Sequence, residues 1–201
     1  MTAAGTTPDL RIVPANEASW DDLQAILTGA AGQCQCQRQR LGDHDWWYMP
    51  VTERAAILRD ETHCDDPRAT ETIGIVAYQG DEPVAWCAVD RRGVYGRLRG
   101  SPVPWKGRTE VKDDETVWAI ACMIVRKGHR SQGLTYPLVA AAVEFARDRG
   151  ASAVEGYPLL TGGGQVIWDE LNVGPVGPFQ AAGLREVAHP TKRRLVMRID
   201  F

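Results

Sequence analysis

Apolar residues change their spacing several times along the chain, and each change marks an element. Leu10 to Val13 is a short apolar run that predicts a first strand. Ser19 opens a helix reaching about Leu27, with a hydroxyl for the first free N–H groups and Asp21–Asp22 to match the helix dipole. Thr52 to about Thr62 predicts a second helix, with Thr52 as its cap. Ile73 to Tyr78, then Gln79-Gly80-Asp81-Glu82, then Pro83 to Val89 reads as strand, turn, strand: a hairpin. Thr116 to Val125 is apolar almost throughout, which predicts a central strand buried on both faces. Within Tyr136 to Arg149, Leu138, Ala142, Phe145 and Ala146 recur at helical spacing, and Gly150 follows as a C-cap. Ala153 to Tyr157 is a fifth strand ended by Pro158. Phe179 to Ala182 is a short helical stretch stopped by Gly183, and Leu184 to Val187 with Leu195 to Ile199 makes a last strand pair.

The sum is an α+β fold: a mixed sheet with helices on both faces and one obligate parallel crossover through the Tyr136–Arg149 helix. Four stretches stand apart from the regular elements. Gln33 to Arg40 is polar and contains Cys34 and Cys36, and Trp46-Trp47-Tyr48 is aromatic. Gly93 to Glu115 is a long excursion rich in Gly, Pro and Arg, of a length that often carries function. Thr161 to Pro178 reads as irregular. With no repeat and no dividing linker, residues 1–201 form one expected domain, with 1–8 flexible.

Composition narrows the class. A chain of 201 residues with 44% hydrophobic and 24% charged residues buries a substantial core and is neither disordered nor membrane-spanning. No apolar run approaches the ~20 residues that cross a bilayer. Met1 to Asp9 lacks the pattern of a secretory signal, so a cytoplasmic location with reduced thiols is expected. A net charge of -3 gives no reason to expect nucleic acid as a partner. Cys34, Cys36, His63 and Cys64 lack the spacing of a zinc site, so no metal is expected.

The chemistry concentrates in Val125 to Thr135, Val-Arg-Lys-Gly-His-Arg-Ser-Gln-Gly-Leu-Thr. Strand, basic Gly-containing turn and helix gather free backbone N–H groups at a helix start, where the dipole is positive. Arg126, Lys127, His129 and Arg130 add charge, and Gly128 and Gly133 allow close approach to the backbone. The ligand expected here is anionic and bears phosphate.

Arg130, Gly133 and Thr135 resemble the Arg/Gln-x-x-Gly-x-Gly/Ala phosphate loop of the GCN5-related N-acetyltransferases, with Thr in the last small-residue place. Phe179-Gln-Ala-Ala-Gly-Leu184 is similar to that family's C-terminal aromatic element, and the order of elements matches along nearly the whole chain. Cys34-x-Cys36, Val84-Ala-Trp86, Arg92, Cys122 and Glu155-Gly-Tyr-Pro158 resemble an actinobacterial-type branch of unassigned substrate.

The resemblance implies a sheet whose fourth and fifth strands are parallel and splayed, with acetyl-coenzyme A as co-substrate. Met123 and Val125 would then hold the pantetheine, and Arg130, Ser131, Gln132, Gly133, Leu134 and Thr135 the pyrophosphate. The implied reaction is direct acetyl transfer to an amine on a small molecule or peptide. Transfer of another acyl group, or a coenzyme A-binding sensor without turnover, remains as an alternative, and a homodimer is possible. Phe179 occupies the family's usual Tyr place, so Tyr157 is the substitute proton donor. Glu115 is the candidate base, with a solvated strand-end carboxylate as the alternative. Cys34, Trp46, Arg92, Arg97 and Glu155 are candidates for the acceptor side. The two arginines suit a carboxylate or phosphate, although a hydrated basic loop would look the same. Glu155 interrupts an apolar strand, so it needs a buried partner or a raised pKa.

Overall fold

A computed structural model describes residues 9–161 and 173–201. The expectations for residues 1–8 and for most of the 161–178 stretch lie outside the described residues. Seven strands form one sheet: β1 (Leu10–Pro14), β2 (Ile75–Gln79), β3 (Glu82–Arg91), β4 (Val117–Val125), β5 (Ala153–Gly156), β6 (Arg185–Thr191) and β7 (Arg194–Asp200). Their spatial order is β1-β2-β3-β4-β5-β7-β6, and only β4 and β5 run parallel. This is the expected α+β architecture.

The helices follow local sequence signals. Helix α1 (Trp20–Ile26) starts where Ser19 caps it, the hydroxyl accepting from the Asp22 N–H at 3.0 Å. Two short helices, α2 (Ala30–Cys34) and α3 (Asp43–Tyr48), occupy the polar and aromatic stretches. Helix α4 (Val51–Thr62) begins one residue earlier than expected. Pro50 is its cap, so Thr52 lies inside the first turn and makes no cap. The fixed φ of proline already ends the preceding chain there. The excursion after β3 is partly ordered by α5 (Gly96–Gly100). Helix α6 (Thr135–Arg147) buries Leu138, Val139, Ala142, Val143, Phe145 and Ala146 against one face of the sheet. On the other face, Leu23 and Ile26 of α1 and Leu58 of α4 pack with Val76, Tyr78 and Trp86. Helix α7 (Val176–Ala181) starts three residues ahead of the expected stretch.

Two irregularities of β4 position the site. Its pairing with β5 ends at Ile120↔Gly156, whereas its pairing with β3 continues to Ala85↔Val125. The last five residues of β4 therefore run on past the end of their parallel neighbour, as a splayed pair requires. Register with β3 also slips between Ala88 and Val89, leaving Ala121 as an extra residue. Ile120 and Met123 pack on the α6 side, but Ala121 and Cys122 both join clusters on the opposite side.

Candidate active site

The loop leaving β4 is shaped by positive backbone dihedrals at Gly128 (φ 99), Ser131 (φ 63) and Gly133 (φ 76). A Cβ added at Gly128 or Gly133 would meet no heavy atom within 4 Å, so both glycines face open space. The N–H groups of Ser131, Gln132, Gly133, Leu134 and Thr135 have no backbone acceptor among the described residues. These donors are what a helix start offers an anion. The basic side chains divide. Arg126 bonds Glu82 (3.1 Å) and His129 contacts Gln79 and Glu82 (2.9 and 3.3 Å), so both clamp the loop to the β2–β3 turn. Lys127 and Arg130 face a cavity instead.

That cavity has a volume of about 700 Å³ and extends from the loop along the free part of β4 to α1 and α2. Seven of the sequence candidates line it: Cys34, Trp46, Met123, Val125, Arg130, Ser131 and Thr135. Gln132 bonds the Gly128 carbonyl at 3.2 Å, and the Leu134 side chain belongs to the core. Arg54 of α4 braces Trp46 from behind. Its guanidinium donates to the Gln33 and Trp46 carbonyls (2.7 and 2.6 Å) and lies 4.0 Å from the Trp46 ring centroid. Cys36 and Lys127, both noted in the sequence motifs, also line the cavity, as does Arg38, which the sequence did not single out.

A second cavity of about 290 Å³ lies beyond the β4 bulge, with Ala121, Tyr157, Arg97, Leu98, Val196 and Gln39 among its walls. The β4 bulge separates the two cavities: Ala121 borders one and Cys122 the other. Tyr157 donates its hydroxyl to Glu155 at 2.8 Å, and burial with the Glu155 charge beside it keeps its pKa well above the ordinary phenol value.

Glu155 and Arg92 do not face either cavity. They face each other, at 2.8 Å, and both are fully buried. Arg108 and Arg198 reach the same Oε1 at 2.5 and 3.0 Å. Burial raises the Glu155 pKa, yet Arg108, Arg92 and Tyr157 outweigh it and hold the carboxyl below its ordinary value. Arg92 also donates to the Lys112 and Val111 carbonyls, at 3.2 and 2.5 Å. The Trp105 indole N–H donates to the Leu98 carbonyl at 2.9 Å, with Arg92, Arg108 and Lys112 stacked about its ring. Thus the expected acceptor contacts at Arg92 and Glu155 are replaced by a structural charge cluster. It pins the 93–115 excursion to β5 and so forms the second cavity's wall. The β5–β7 register, Glu155↔Arg198, was the available signal for one partner. Arg108, inside the excursion, gave none.

Glu115 is exposed before β4 begins. It lines neither cavity, and Ala121 lies four strand steps beyond Val117, a rise of about 13 Å. Phe179 is fully buried and seated on two glycines. A Cβ at Gly156 would stand 2.1 Å from its Cε1, and one at Gly174 3.2 Å from its Cε2.

The site is thus a mixed sheet splayed after its parallel pair, with a loop of N–H donors opening onto the gap. The profile of the acetyltransferase (GNAT) family matches residues 38–156, more than half of the chain, and the protein belongs to that family. Similar solved structures include a ribosomal-protein-alanine N-acetyltransferase from Brucella melitensis (14% identity, 96% of this chain and 99% of the other covered, TM-score 0.54). A GCN5-related N-acetyltransferase from Kribbella flavida is also similar (16%, 96% and 98%, 0.53). So is the GNAT domain of the S. lividans protein PAT (16%, 96% and 90%, 0.51). At these identities the structures establish the shared fold. A comparison with curated proteins returned no match. Acyl transfer is the chemistry of the family. Among the described residues, no helix is long and apolar enough to cross a membrane.

Proposed function

We propose that this protein transfers an acetyl group from acetyl-coenzyme A to an amine. The observation that carries the reading is the convergence, in one cavity, of unpaired loop N–H groups and the free end of β4. The pyrophosphate fits the N–H groups of Ser131 to Thr135, with Lys127 and Arg130 adding positive charge. The pantetheine fits the strand edge at Met123 and Val125, where backbone groups no longer meet β5. Its acyl end then points toward Ala121 and Cys122, where the second cavity begins.

The acceptor amine enters through that second cavity, past Arg97 and Tyr157. Tyr157 remains protonated across the ordinary pH range and supplies the proton donor that Phe179 lacks. Neither cavity has a carboxylate among its described lining residues. The amine therefore arrives neutral or loses its proton through water. The experiment is calorimetry with acetyl-CoA, followed by thiol-release assays over a panel of amines. Absence of binding by folded protein refutes the reading. Binding without thiol release from any acceptor favours the sensor alternative, which the buried Phe179 also supports.

A further inference from the structure

The second cavity is sorted by depth. Leu98, Ala121, Tyr157 and Val196 form its floor; they are buried and pack into one cluster with Tyr95 and Ala119. Gln39, Arg97, Ser101 and Arg194 also line it but are only half-buried, so they form its rim. Through Ala121 the floor lies next to Cys122 and the first cavity.

Both rim arginines stand on anchored backbone. Gly96 lets α5 approach the preceding chain closely, since a Cβ there would stand 2.9 Å from the Arg40 carbonyl oxygen. Arg97 follows directly, and its carbonyl accepts from the Ser101 N–H at 2.9 Å. The Trp105 bond to the Leu98 carbonyl ties the same turn to Arg92 and Arg108, and so to Glu155. Arg194 opens β7, where its N–H donates to the Thr191 hydroxyl at 3.1 Å. The next residue, Leu195, donates to the Pro158 carbonyl at 3.2 Å.

Charge decides what such a rim takes. Among the described residues the walls carry two guanidiniums and no carboxylate. Burial, and after it the charge of Arg38 on the first cavity's wall, lower the Arg97 pKa from its ordinary value. A polyamine would bring more positive charge into this neighbourhood, whereas an anion relieves it. Arg97 and Arg194 have other contacts within the protein. A guanidinium has five N–H donors in a fork that matches carboxylate and phosphate oxygens, so an engaged arginine still has donors to offer. The volume of about 290 Å³ is at the low end of small-molecule sites and suits a compact ligand.

We propose that the acceptor is a small amine that also carries an anionic oxygen group, a carboxylate or phosphate monoester, held at the rim by Arg97 and Arg194. This rests on the acceptor reading above and names its substrate class. The amine lies on the floor by Ala121 and Tyr157, an apolar body passes Leu98 and Val196, and the anion reaches the rim. The nitrogen bonds to the acyl carbon as the donor's carbon–sulfur bond breaks. The proton lost by the amine balances the one taken up by the coenzyme thiolate.

The test uses the full-length protein, acetyl-CoA and matched acceptors. These are the common amino acids against their carboxamides, and O-phosphoethanolamine against ethanolamine, with spermidine as the cationic comparison. In each pair the acid has the more basic amine, so the supply of neutral amine works against it. By thiol release, at least one acid should have a kcat/KM about 10- to 100-fold above its uncharged partner, the worth of a hydrogen bond to a charged group. The pair that responds tells carboxylate from phosphate. Arg97→Gln and Arg194→Gln should each raise KM for the acid with little change in kcat and collapse its preference over the partner, and Arg97→Lys should recover part. Calorimetry with acetyl-CoA checks that the variants are folded. Equal or better acetylation of the uncharged partners or of spermidine overturns the proposal and leaves the donor reading intact. So does acetyl-CoA binding without thiol release from any of these amines. No acetyl-CoA binding overturns the donor reading, and calorimetry with the acceptors alone then decides the second cavity. A retained preference for the acids supports the anion site, and its absence overturns it.

Discussion

Replacing Glu155 with Gln should destabilise the protein far more than loss of an ordinary ion pair. The carboxylate is fully buried, and the Arg92 and Arg108 side chains are 1% and 4% exposed. After the change, Arg108 retains Glu110 at 2.9 Å and Arg198 retains Asp200 at 2.8 Å. Arg92 retains only main-chain carbonyls, so its charge is left buried without a counter-ion. Removing one partner of a buried pair costs about 3–5 kcal/mol. For a chain of this size that corresponds to a fall in Tm of about 6–20 °C. Urea unfolding of both proteins at neutral pH, with an unchanged slope, measures the difference. The acid limb provides a second readout. The folded-state carboxyl titrates below its ordinary value of 4.5, so its ionisation stabilises the fold above the ordinary carboxylate range. That contribution disappears as pH falls through the folded value. Glu155→Gln should therefore flatten the acid decline in stability. A loss within about 1 kcal/mol, the range of solvated surface pairs, would refute the view that this cluster holds the excursion in place.

Three further perturbations address the cavities. Gly133→Val should abolish acetyl-CoA binding in calorimetry with a modest loss of stability, because the position is left-handed but opens on space; retained affinity would show that the loop does not hold the phosphates. Gly156→Ala should cost about 1–3 kcal/mol in urea unfolding through overpacking against Phe179, and adding Phe179→Leu should recover part of it. Tyr157→Phe should lower kcat about 10²-fold or more if its proton is used and cost about 1–3 kcal/mol in urea unfolding, by removing a buried hydrogen bond; an unaltered kcat and pH profile would remove it from the reaction.

What the sequence disclosed depended on how local each signal was. The Ser19 cap, the apolar β4 run and the α6 stripe are contained within a few residues of one another, and all three are where the pattern put them. The strand–turn–helix passage from β4 to α6 was readable for the same reason. The course of the second cavity's wall was not, because Glu155 meets Arg92 and Arg108 across 63 and 47 residues of chain. Nor did spacing reveal the left-handed pair at Gln35–Cys36, since neither residue is a glycine that would advertise it. The bulge at Ala121 lies in an uninterrupted apolar run and has no compositional mark. Arg92 and Glu155 were recognised as important residues, but their spatial partner was each other.

The bulge in β4 also bears on how such a protein can change over evolution. Because it turns Ala121 and Cys122 to one side of the sheet yet into different cavities, a single strand is a party wall between two otherwise separate sets of segments. One set runs through residues 26–38 and 122–135, the other through 97–104 and 190–196. On the proposed reading, substitutions accumulating in the second set can remodel the acceptor side without touching the first. Selection acting on one cavity would then leave the other unchanged, and homologues should diverge much faster around Arg97 and Pro190 than around Ser131.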